Sequence, residues 1–110
     1  MFKLSDNQIE KIESLDFTVY EYGDYYGFQK YSSYGQDFNF DIYKGETFSD
    51  FKNNIYDYYE SFDVSYESLL WIDPVTGHGK NGAPYEIKDI VTDMEECENF
   101  ILELYNMLNQ

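Results

Sequence analysis

A chain of 110 residues with 22 acids against seven lysines, and no arginine, carries a formal net charge of −15. Lacking arginine, it has no bidentate fork for phosphate or carboxylate, and so negative a field repels nucleic acid and anionic lipid while favouring cationic partners. With 21% aromatic residues, including 13 tyrosines and nine phenylalanines, it is also unlike an acidic disordered tail.

In chain order, Leu4-Ser5-Asp6-Asn7-Gln8-Ile9 predicts a helix start. Ser5 and Gln8 can cap each other reciprocally, and Leu4 can staple onto Ile9. The helix spans about 5–15. From Asp16 to Tyr43 the apolar period is two, as in Phe38, Phe40 and Ile42 against Asn39 and Asp41, which predicts three strands over about 16–43. Gly23-Asp24 and Ser33-Tyr34-Gly35 mark the turns of an antiparallel meander, many of whose tyrosines must lie on half-exposed faces.

Beyond Gly45, Phe48, Phe51, Ile55, Tyr58 or Tyr59, and Phe62 recur at helical spacing, with Thr47 or Ser49 as cap, for a helix over about 47–61. A second helix over 65–72 carries Leu69, Leu70 and Trp71 and is expected to end at Asp73-Pro74, since a residue before proline leaves the helical region. A long helix over 85–108 shows an apolar stripe of Ile87, Ile90, Val91, Met94, Cys97, Ile101, Leu104, Tyr105 and Leu108, with Asp89, Asp93, Glu96 and Glu103 on another side. The expected fold is α+β: an N-terminal helix, a three-stranded antiparallel sheet, and helices packed on it within a single domain, 1–110.

The loop Thr76-Gly77-His78-Gly79-Lys80-Asn81-Gly82-Ala83-Pro84 is not a phosphate loop. That motif needs a glycine where Pro74 stands, and Ser or Thr where Asn81 stands. Its glycines are expected to serve a tight connection. One histidine, His78, and one cysteine, Cys97, cannot make a zinc site, and no segment has the spaced acids of a calcium loop, so neither metal nor cofactor is expected. Cys97 lies on the apolar stripe and reads as a core residue rather than a nucleophile. It has no partner for a disulfide within the chain. Carboxylate pairs are too abundant to single out an acid–base couple, and the chain is read as a non-enzyme. Residues 1–6 lack the apolar run of a signal peptide, and no stretch approaches the roughly 20 apolar residues of a membrane span, so a cytoplasmic protein is expected.

What remains is the charge. Residues 45–79 hold Glu46, Asp50, Asp57, Glu60, Asp63, Glu67 and Asp73 against Lys52 alone. Residues 81–110 hold Glu86, Asp89, Asp93, Glu95, Glu96, Glu98 and Glu103 against Lys88 alone. Carboxylates on successive helical turns stand about 5.4 Å apart, and several such rows can approximate the charge density of a duplex. The leading expectation is a nucleic-acid mimic that binds a basic nucleic-acid-binding protein and no nucleic acid itself, as a monomer or homodimer. Asp89, Asp93, Glu96 and Glu103 are the first candidate contacts, Asp57, Glu60, Asp63 and Glu67 the next, and Trp71 adds contact area. The alternative is an interaction module that binds through an aromatic patch, its charge serving solubility alone.

Small size, extreme acidity, the lack of arginine and many aromatics resemble the acidic inhibitors that phages and mobile elements direct against CRISPR and restriction nucleases. Leu70-Trp71-Ile72-Asp73, Gly77 to Tyr85 and the following acidic helix also resemble stretches in small proteins of bacterial mobile elements. The resemblance implies action in a bacterial host cell on a Cas9-like nuclease or a restriction enzyme.

Overall fold

The computed structural model describes all 110 residues. In chain order the elements are α1 (Asp6–Glu13), β1 (Thr18–Tyr22), β2 (Tyr25–Tyr31), β3 (Asp37–Tyr43), α2 (Phe48–Ser61), α3 (Val64–Leu69) and α4 (Ile87–Leu108). The expected α+β architecture is what forms. Ser5 Oγ accepts the Gln8 amide at 3.1 Å, and Gln8 Oε1 accepts the Ser5 amide at 2.8 Å, closing the capping box of α1. Leu4 is buried and Ile9 packs against the same core, as the staple requires. Thr47 and Asp50 form the same box at the start of α2.

The sheet has order β1-β2-β3 and is antiparallel throughout. Its register pairs Val19 with Phe28 and Phe28 with Phe40, so one face carries Tyr26, Phe28, Phe40 and Ile42, all buried. Phe51 and Ile55 from α2, and Phe100, Ile101, Leu104 and Leu108 from α4, close over that face. Each such burial contributes about 1.5–3 kcal/mol, which is how so acidic a chain offsets its own repulsion. Phe17 binds the layers together, edge-on to Phe28, Phe40 and Phe100.

Three lysines are spent inside the fold. Lys30 Nζ lies 4.6 Å from the Phe100 ring centre and 3.2 Å from Glu103, and Lys44 Nζ lies 5.0 Å from the Tyr26 ring centre and 2.7 Å from Glu21. Lys52 sits over Phe48 and donates to Asn109. Cation–π contacts let each stem cover apolar surface while its charge stays satisfied.

The departures from expectation with a visible cause lie on either side of the glycine loop. The helix expected over 65–72 runs from Val64 to Leu69, because Asp63 caps the Tyr66 amide and Ile72 is drawn into an antiparallel bridge with Gly79. The bridge, rather than Pro74, ends that helix. The last helix begins at Ile87 instead of 85, because Gly79 N–H is held by the Tyr85 carbonyl in the preceding loop. That loop is folded so tightly that a Cβ on Gly79 would lie 1.9 Å from the Pro84 carbonyl oxygen, so glycine is obligatory there. On α4, Ile87 is exposed, whereas Phe100 and Asp93 join the buried side. No helix is long and apolar enough to cross a membrane.

Candidate functional site

The first-choice acids do not form a free face. On α4 they point toward the β2–β3 turn and the end of β2, and three of the four meet a polar group of this chain. Tyr34 Oη donates to Asp89 at 3.3 Å, Ser33 donates to Glu96 through its amide at 2.6 Å and its hydroxyl at 3.1 Å, and Lys30 pairs with Glu103 at 3.2 Å. Asp93 is fully buried, and neither of its carboxylate oxygens has a hydrogen-bond partner. Burial raises its carboxyl above the ordinary aspartate value, the Ser32 hydroxyl nearby pulls the other way, and the Glu96 charge adds to the rise. Asp93 is therefore removed from the candidate contacts. A partner cannot touch a side chain sealed between α4 and the β2–β3 turn.

The second-choice acids divide. Asp57 and Glu60 on α2 are exposed. Asp57 lines a shallow depression with Tyr25, Asp41 and Tyr43 from the sheet. Asp63 is exposed but occupied as the cap of α3, accepting the Tyr66 amide at 3.1 Å. Glu67 on α3 and Trp71 just beyond its end, both half-buried, line one open cleft of about 250 Å³ with Phe38, Tyr58, Phe62 and Asp37. Burial pushes the Tyr58 hydroxyl up, and the charges of Glu67 and Asp41 push the same way. Met94 and Cys97 of α4 close its inner wall.

The surface missing from the candidate list is the outer side of the sheet. Its register sets Tyr22, Tyr25 and Tyr43 in one row across the three strands, with Tyr20, Gly27 and Asp41 in the next. Tyr31 lies farther along β2, and these five tyrosines are between 43 and 64% exposed. Tyr22 lies across Gly27 and donates to Asp41, and a Cβ on Gly27 would come within 3.0 Å of the Tyr22 ring. Glycine here lets a tyrosine lie flat on the sheet and ties it to a carboxylate on the far strand. The alternation Tyr20, Tyr22 and Tyr25, Gly27 was the available signal, since every second residue of a strand shares a face.

Cys97 is buried, and its thiol is pushed up to about 12, first by burial and then by the charges of Asp93, Glu96 and Glu67, so it carries no thiolate at neutral pH. His78 stacks on Tyr85 with ring centres 4.2 Å apart. No three His, Cys, Asp or Glu side chains are grouped to hold a metal ion. Comparison with protein-family models, curated proteins and solved structures finds no match for the chain.

Proposed function

We propose that the protein is a non-enzymatic inhibitor that docks on the cationic nucleic-acid-binding surface of another protein, a Cas9-like CRISPR nuclease or a restriction enzyme, and keeps nucleic acid out. The observation that carries this reading is the outward distribution of charge. Lys30, Lys44 and Lys52 are turned to internal contacts, while Asp57, Glu60, Asp41 and other carboxylates face outward beside exposed tyrosines. The body is 46 Å long and about 25 Å across, and a duplex of that length would carry about 27 phosphate charges at one per 1.7 Å. A net charge of −15 is thus roughly half the line charge of DNA. That suffices for steering and partial competition, and tyrosine contacts at the sheet would supply the remaining affinity.

The second reading, an interaction module whose charge serves only solubility, is favoured by the tyrosine face itself. It places binding on Tyr20, Tyr22, Tyr25 and Tyr43 and predicts that neutralising Asp57 and Glu60 spares it. One experiment separates the two. The immobilised protein is exposed to bacterial lysate at low salt, and captured proteins are challenged with duplex DNA. Under the inhibitor reading, captured nucleases elute with salt and are displaced by DNA. Captured proteins that resist both, yet are lost when the sheet tyrosines are replaced, would overturn it.

A further inference from the structure

The cleft lined by Glu67, Trp71 and Tyr58 has the chemistry of a receptor for one cationic side chain. We propose that it takes an arginine side chain of the partner protein, an inference that rests on the reading above and names the group recognised. At about 250 Å³ the cleft falls below the range of about 300–1,000 Å³ typical of small-molecule sites, which suits a single side chain better than a substrate. Its walls include Phe38, Phe62, Tyr58 and Trp71, whose π-faces attract a cation. Glu67 has no lysine of this chain in ion-pair contact, in contrast to Glu21 and Glu103. Asp37 also lines the cleft, but its carboxylate is held by Gln29 at 2.8 Å on the outer face of the sheet, so Glu67 is the one carboxylate left to pair with a guest.

Arginine fits this set better than lysine. Its planar guanidinium stacks on an aromatic face while its edge forks a carboxylate, and it sheds water more readily than an ammonium group. The donor cannot be a second copy, because the chain contains no arginine. Charge complementarity therefore points to a different, arginine-bearing protein, such as one whose arginines ordinarily meet phosphate.

Trp71 is the only tryptophan, so its fluorescence reports on the cleft alone. The probe is a capped Gly-Arg-Gly peptide, compared with Gly-Lys-Gly and with the neutral isostere Gly-citrulline-Gly. The expected result is a saturable Trp71 change with the arginine peptide, several-fold weaker binding of the lysine peptide and none with citrulline. Glu67→Gln should weaken the arginine peptide roughly tenfold, as loss of a charge-assisted hydrogen bond does, while Glu10→Gln on α1 leaves it unchanged. Equal responses to arginine and citrulline, no saturable response, or a folded Glu67→Gln that binds as the parent does would each overturn the assignment. The citrulline comparison uses the unaltered protein and stands even if Glu67→Gln does not fold. Arginine-peptide binding without DNA-displaceable capture would keep the cleft and remove the inhibitor reading, whereas DNA-displaceable capture without peptide binding would do the reverse.

Discussion

Asp89, Asp93, Glu96 and Glu103 on α4, and Asp57 and Glu60 on α2, are the same kind of side chain at similar helical spacing, yet they meet opposite surroundings. Those on α4 face Tyr34, the Ser32–Ser33 turn and Lys30, and one of them is sealed from water. Those on α2 face solvent. The α4 acids hold the β2–β3 hairpin against the last helix, whereas the α2 acids are available to a partner. Counting carboxylates along a helix measures charge, and only their neighbours turn charge into a surface.

The sharpest break of this comparison is at Asp93. Its carboxyl is raised, so the folded chain binds that proton more tightly than the unfolded chain does. The stability this contributes is fully present below the unfolded value near 3.8 and is lost as pH rises through the folded value. Asp93→Asn, which keeps the shape and a polar group but removes the charge, should therefore stabilise the protein at neutral pH by about 1–3 kcal/mol, the share of the burial cost that belongs to the charge. By thermal unfolding, the gap between variant and parent should shrink on acidification. A variant less stable than the parent at neutral pH would mean that Asp93 stays ionised and is paired.

Gly27→Ala probes the outer sheet. Its Cβ would crowd the Tyr22 ring and Asp41 Oδ1, the latter at 3.1 Å, so a loss of about 1 kcal/mol in denaturant unfolding is expected. An unchanged midpoint would mean that Tyr22 swings away freely. Glu96→Ala removes the one oxygen that accepts both Ser33 hydrogen bonds and should cost about 0.5–1.5 kcal/mol, with faster amide exchange confined to the β2–β3 turn. Loss of partner capture by this variant at unchanged stability would return the α4 stripe to the contact surface. The smallest expected effect on folding is that of Asp57→Lys with Glu60→Lys, within about 0.5 kcal/mol by unfolding. The same pair should lower the salt concentration at which a captured cationic partner elutes, and an unmoved elution point would take α2 out of the interface.

Much of the fold could be read locally. The Ser5–Gln8 box, the period-two run through Phe38, Phe40 and Ile42, and the stripe from Ile90 to Leu108 each act within a few residues. They appear in place because capping and amphipathicity are short-range effects. The end of α3 was less legible, since Ile72 answers to Gly79 across a loop rather than to its neighbours. The cleft was legible only in part. Glu67 and Trp71 were singled out separately, and nothing in their spacing announces Phe38 or Tyr58 beside them.

Net charge, the lack of arginine, the order of elements and the alternation of tyrosines along the strands were all written in the linear chain, because each depends on composition or on a period of a few residues. Which carboxylates face outward was decided by tertiary packing. Spacing along a helix sets the angle of a side chain about its axis, but only a distant segment, here the β2–β3 turn against α4, determines whether that angle points into water or into protein.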